Sequence, residues 1–165
     1  MKNNLQLIDL YLEEKMQICK VIDRNSINKI FQKVLNTYKK NGFVYLMANG
    51  GPAGIIDNVA ADLRLHPFVQ EDKSKIIKDI KKLKVASLIE SPGTITGISN
   101  DCGFENVFIE QLKNYVYDPK SNKNDTLISF SGSGNSENII RAIKFAKKNK
   151  VYTICISGRG GGKAK

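Results

Sequence analysis

The chain has one histidine, His66, no tryptophan, and three cysteines, Cys19, Cys102 and Cys155, far apart and without a Cys-x-x-Cys pair. One imidazole limits both metal chemistry and general-base chemistry. The odd, scattered cysteines point to neither a disulfide framework nor a thiolate zinc site, and are expected to be buried small apolar residues. No apolar run is long enough to cross a membrane, and the Met-Lys-Asn-Asn start lacks the apolar core of a signal peptide. A cytoplasmic protein without a membrane partner is expected. Acidic residues are outnumbered, 16 against 26 basic ones, and the net charge of +10 favours anionic partners. The densest basic cluster, Lys73, Lys75, Lys78, Lys81, Lys82 and Lys84, contains no aromatic residue for base stacking and accompanies no helix-turn-helix, zinc-finger or RNA-recognition pattern. It reads as a solvated basic face, so phosphorylated metabolites are the expected partners rather than nucleic acid.

With 165 residues and 41% hydrophobic content, the chain fits a single domain with a sizeable core. Leu5, Ile8, Leu12, Met16, Cys19 and Ile22 trace one face of a long first helix. A second helix, capped by Asn25 or Ser26 and stopped by Gly42, carries Ile27, Ile30, Phe31, Val34, Leu35 and Tyr38 at helical spacing. Residues 1–42 are thus expected as a helical hairpin and 43–165 as an α/β core. In that core, strands are expected at Phe43 to Ala48, Val85 to Glu90, Thr126 to Phe130 and Tyr152 to Ser157. Helices are expected from the glycine turn to about Leu63, from about Glu105 to Val116, and from Glu137 to Lys148, with a turn at Ser91-Pro92-Gly93 and a loop from Asp118 to Asn124. Strands alternating with helices imply parallel pairing and right-handed crossovers, hence a doubly wound parallel sheet sandwiched by helices, of the flavodoxin-like kind.

The most informative segment is Phe130-Ser131-Gly132-Ser133-Gly134-Asn135-Ser136, where the third strand hands over to a helix. Unsatisfied N–H groups and the helix dipole suit an anion there, the glycines permit a tight turn and close approach, and three serines add hydroxyl donors. A polar turn with an ordinary helix cap is the alternative. Asn49-Gly50-Gly51 and Ser91-Pro92-Gly93 fall at the same sheet edge. Neither a P-loop nor G-x-G-x-x-G is present, although Glu90 at the end of the second strand keeps a ribose contact in view.

Four segments, Ala48 to Gly51, Ser99 to Phe104, Ser131 to Ser136 and Ser157 to Lys163, in this order and spacing, resemble the sugar isomerase (SIS) domain family, and within it the phosphoheptose isomerases. The resemblance covers nearly the whole chain from the helical hairpin onward. It implies that Ser131, Gly132, Ser133 and Ser136 hold a sugar phosphate and that Asn49, Gly50, Gly51, Asn100 and Asp101 contact the sugar. A tight turn and a capping pair are the structural alternatives for the last two groups. It also implies a homotetramer, zinc as a cofactor, and conversion of sedoheptulose 7-phosphate to a heptose 7-phosphate for lipopolysaccharide or capsule synthesis.

Departures fall where the chemistry lies. The family's zinc-binding His and Glu are replaced by Asn58 and Asp62, Pro52 stands where a phosphate-binding serine is usual, and the other zinc ligands belong to a C-terminal strand and helix expected to be missing here. The enzyme therefore dispenses with zinc, or the chain is part of a longer one, or activity has been lost. Asp62 is the expected catalytic base or acid and Asp101 the second candidate, while His66, before Pro67, reads as a surface residue. The competing expectation is a non-catalytic phosphosugar-binding or regulatory module, such as a partner of a replication initiator.

Overall fold

The computed structural model describes residues 3–65 and 80–165. His66 and the lysines at 73, 75 and 78 lie outside them. The chain divides into two compact units, one ending at Gln32 and the other beginning at Lys33. In the first, α1 (Asn4–Val21) opens with a reciprocal capping box: the Asn3 side chain accepts from the Gln6 N–H and the Gln6 side chain from the Asn3 N–H, at 2.9 and 3.1 Å. Its apolar residues, including Leu5, Ile8, Leu12 and Met16, are exposed in the single chain. α2 (Arg24–Lys39) is capped by Asp23 rather than by Asn25 or Ser26, because the Asp23 carboxylate accepts from both their N–H groups and from the Ser26 hydroxyl.

The second unit is built on a parallel sheet of β1 (Phe43–Ala48), β2 (Lys84–Ser87), β3 (Thr126–Ser131) and β4 (Tyr152–Ser157), in the order β2-β1-β3-β4. α3 (Gly51–Leu65) packs Ile56 and Ala60 against Val44, Leu46 and Ala48 on one face. On the other, α5 (Val107–Lys113) and α7 (Glu137–Lys148) cover Tyr45, Met47 and Leu127 with Phe108, Leu112, Ile139 and Ile143. The doubly wound α/β sandwich read from the sequence is the observed fold. The chain leaves β1 toward β2 on one side and is continued by β3 on the other, so the topological switch point lies between β1 and β3.

Several boundaries differ from expectation. Residues 92–102 form a helix, α4 (Pro92–Cys102), where only a turn was expected. Ser91 caps it with a bond from the Thr94 N–H, Pro92 occupies the first turn, and Gly103, at φ 86°, ends it. A 3-10 turn (Phe104–Asn106) precedes α5, and the expected loop after Asp118 contains the short α6 (Pro119–Asn122). β2 stops at Ser87 instead of Glu90. At the end of α2, Asn41 takes the left-handed conformation (φ 60°), and Gly42 is needed because a Cβ there would strike the Asn124 carbonyl. Cys19 and Cys102 are exposed and only Cys155 is partly buried, correcting their expected burial; Cys19 belongs to the wholly exposed α1. Of the lysine cluster, Lys81 and Lys84 reach the carbonyls of Tyr38 and Asn41 and lie over the Tyr38 and Phe43 rings, which leaves them in local structural roles.

Asp125, buried to 5% exposure before β3, ties the sheet's lower edge together by accepting from the Phe43 N–H at 2.8 Å and the Tyr45 hydroxyl at 2.9 Å. Burial pushes its carboxyl above the ordinary value of 3.8, and these hydrogen bonds oppose the shift only in part. A raised native pKa means that the folded state holds the proton more tightly. The group's stabilising contribution is therefore full below the ordinary value and is lost as pH climbs through the raised one. Asp125→Asn is expected to cost about 1 kcal/mol in acid, by weakening one hydrogen bond, and less at neutral pH. Urea unfolding at both pH values checks this, and a cost that grows with pH would contradict it.

Candidate phosphosugar site

Three loops converge beyond the carboxyl ends of the strands, as the fold requires. After β1, Gly50 adopts φ 59° to turn the chain into α3. The first turn of α3 accepts Pro52 because its missing N–H would have been unpaired there, and Pro52 brings no hydroxyl. Ala53, Gly54 and Asp57 recur on one face of α3 and, with Asn49 and Gly50 before it, line an open cavity of about 290 Å³ that is also lined by Ile89, Ile95 and Phe108.

After β3, the loop Ser131 to Ser136 leads into α7. The buried Ser131 hydroxyl accepts from the Gly134 N–H at 3.1 Å, and the Ser133 hydroxyl accepts from the Asn135 N–H at 3.2 Å, which fix the loop's shape. Ser136 caps α7 without a side-chain bond, and the Gly132 Cβ position faces open space. Both features leave room for a ligand at a helix start.

From the opposite side the loop is braced by the turn Arg159–Ala164. The Ala164 N–H donates to the Gly134 carbonyl and the Lys163 N–H to the Asn135 side chain, each at 3.0 Å. Gly134 lies at φ 68°, where a Cβ would collide with the Gly161 carbonyl, and Gly162 lies at φ 56°, where a Cβ would strike the Ser133 carbonyl and the Asn135 side chain.

The two loops are joined across the switch point by a pair of amides. The Asn49 NH₂ donates to Asn138 Oδ1 at 2.8 Å, and the Asn138 NH₂ returns a bond to Asn49 Oδ1 at 3.0 Å. Asn138, only 3% exposed on α7, was not anticipated, because its pairing with Asn49 depends on the sheet order. Asp57 was missed as well. Ser87, the last residue of β2, donates its hydroxyl to Asp57 Oδ1 at 3.0 Å. Glu90 is held by the Arg64 guanidinium, which also donates to the Val85 carbonyl, so it is not presented to a ribose.

Other predicted residues stand apart from the cavity. Asn100 and Asp101 are exposed near the end of α4, where the Asn100 amide donates to the Asp101 carboxylate at 2.9 Å. Asn58 and Asp62 are exposed on α3, and Asp62 sits about 140° around the helix from Asp57. As a zinc-binding pair they supply one neutral amide and one carboxylate on a single helix. That donor set does not fit a zinc centre built from imidazole, thiolate and carboxylate ligands.

A model described as the SIS domain matches residues 10–158. The chain belongs to the SIS domain family. Among curated relatives of this SIS domain, the phosphoheptose isomerase of Fusobacterium nucleatum is 31% identical over 164 residues, covering 99% of this chain and 74% of that protein. Phosphoheptose isomerase 1 of Campylobacter jejuni is 29% identical over 160 residues, covering 96% and 78%. The solved structure of a phosphoheptose isomerase from Francisella tularensis superposes with a TM-score of 0.82 at 22% identity, covering 99% of this chain and 80% of that one, and supports the fold. Among the described residues, no helix of this SIS domain is long and apolar enough to cross a membrane.

Proposed function

We propose that this SIS domain is a phosphosugar isomerase that interconverts sedoheptulose 7-phosphate and D-glycero-D-manno-heptose 7-phosphate. The observation that carries the reading is the Ser131 to Ser136 loop, braced from behind and opening on a helix start, tied by Asn138 to Asn49 beside a cavity at the switch point. A phosphate gripped by Ser133, Ser136 and the start of α7 fixes the sugar's orientation, and Asn49, Gly50 and Gly51 face its carbon chain. Conversion of ketose to aldose then moves a proton from carbon 1 to carbon 2 through an enediol, with Asp62 as base and Asp101 as the second candidate. Turnover proceeds without zinc, in keeping with the donor chemistry of Asn58 and Asp62. The enzyme works in the cytoplasm, in supply of heptose for lipopolysaccharide or capsule. It assembles as a homotetramer, supported by the apolar α1 residues left uncovered in the single chain, and sedimentation would reveal a monomer if this is wrong.

The test is a direct isomerase assay with sedoheptulose 7-phosphate, with and without a chelator, beside a thermal-shift series. Sugar phosphates are expected to raise the melting temperature and inorganic phosphate to do so weakly, because a ligand that binds only the folded state stabilises it by mass action. Ser133→Ala should weaken the sugar-phosphate effect by the loss of about 1–3 kcal/mol of binding, the range for hydrogen bonds to charged groups. An undiminished shift in that variant would remove the cradle. The second reading, a phosphosugar sensor without turnover, is favoured by the placement of Asn58 and Asp62 away from the cavity, and binding without isomerisation would select it.

A further inference from the structure

Among the described residues, Asp57 is the only ionisable side chain lining the cavity, and Asn49 is the only other polar one. The remaining lining residues are glycine or apolar. Through the Ser87 hydroxyl, Asp57 Oδ1 is pinned over the carboxyl end of β2. That bond occupies one of the roughly four acceptor positions of a carboxylate and leaves the others available. The phosphate loop follows β3, and β1, with Asn49 at its end, lies between. The strand ends that anchor carboxylate and cradle, β2 and β3, are therefore two strand spacings apart, about 10 Å across the sheet.

A negative carboxylate repels a phosphate and accepts hydrogen bonds from neutral hydroxyls, so the two ends of this edge suit the two ends of one sugar phosphate. We propose that Asp57 is a specificity residue whose carboxylate accepts hydrogen bonds from hydroxyls on the carbon chain of a sugar phosphate held in the cradle, so that the site favours chains long enough to bridge β3 to β2 over three-carbon phosphates. The inference rests on the sugar-phosphate reading of the Ser131 to Ser136 loop and adds the group that measures the other end. Asp57 is exposed on the helix surface, so its replacement leaves the core intact.

Calorimetric binding of sedoheptulose 7-phosphate and of dihydroxyacetone phosphate to the full chain tests it. Asp57→Ala is expected to weaken the heptulose phosphate about ten-fold or more, as befits loss of a charge-assisted hydrogen bond, and to leave the triose phosphate unchanged. Asp57→Asn, which keeps one acceptor oxygen, should show a smaller loss. Heptulose phosphate binding equal to wild type in Asp57→Ala would overturn the assignment while leaving the cradle standing. Equal weakening of both ligands would overturn it too, by assigning Asp57 to local structure. If the wild type bound neither compound, the sugar-phosphate reading would fall and this inference with it.

Discussion

Gly134→Ala is expected to lose about 3 kcal/mol of stability, and with it the thermal stabilisation by sugar phosphates. Two costs combine. A left-handed backbone carries about 1–2 kcal/mol for a residue with a Cβ, and the new methyl would press on the Gly161 carbonyl, an overpacking worth about 1–3 kcal/mol. Relief requires the turn Arg159–Ala164 to back away, which breaks the bonds from the Ala164 and Lys163 N–H groups that hold the loop. Gly132→Ala is the control, since its Cβ would enter open space and its φ is not left-handed. Its melting temperature should match the wild type, and its phosphosugar binding should weaken because the methyl occupies ligand space. Urea unfolding and thermal shift measure both variants. Equal stability of Gly132→Ala and Gly134→Ala would show that the bracing has no energetic consequence.

Asp62→Asn is expected to cut turnover of sedoheptulose 7-phosphate by about 10²-fold or more while leaving sugar-phosphate stabilisation in place, since the substitution keeps size and removes the base. The geometry sharpens this expectation. Asp62 does not line the cavity formed by its own chain, so under the proposed homotetramer a second copy would complete a site at Asp62, and turnover is then expected to fall on dilution below the assembly threshold. Single-turnover assays at several protein concentrations read both effects. Unchanged activity in the variant would remove Asp62 as the base and turn attention to Asp101, His66 or the cavity carboxylate.

The strands β1 and β3 were legible because each is a mainly apolar run bounded by polar turns, as strands buried on both faces must be, and the edge strand β4 carries a similar run although it is half-exposed in the single chain. α7 was legible from its apolar spacing and its Gly/Ser entry. α4 was not, since Gly93, Thr94, Thr96 and Gly97 are poor helix formers and the Ser91-Pro92 start reads equally as a turn. β2 was overextended because Leu88 and Ile89 continue its apolar run, although they turn off toward the cavity and the core. The Gly/Ser loop between β3 and α7 could be found from residue type alone, whereas the contacts of Asp57 and Asn138 could not. Their partners, Ser87 and Asn49, lie 30 and 89 residues away, and only the order of strands brings them together.

The amide pair has a consequence for handedness. Asn138 Oδ1 also accepts from the Ile139 N–H at 2.9 Å, so rotating that amide by half a turn would set its NH₂ against a backbone donor. Asn138 is thereby fixed in one sense, and through two reciprocal bonds it fixes Asn49. One N–H and one lone pair of Asn49 remain, in positions dictated by the backbone of α7. A ligand held by Asn49 would meet that donor and acceptor in one fixed left-to-right order, set by the first turn of a helix on the other side of the switch point.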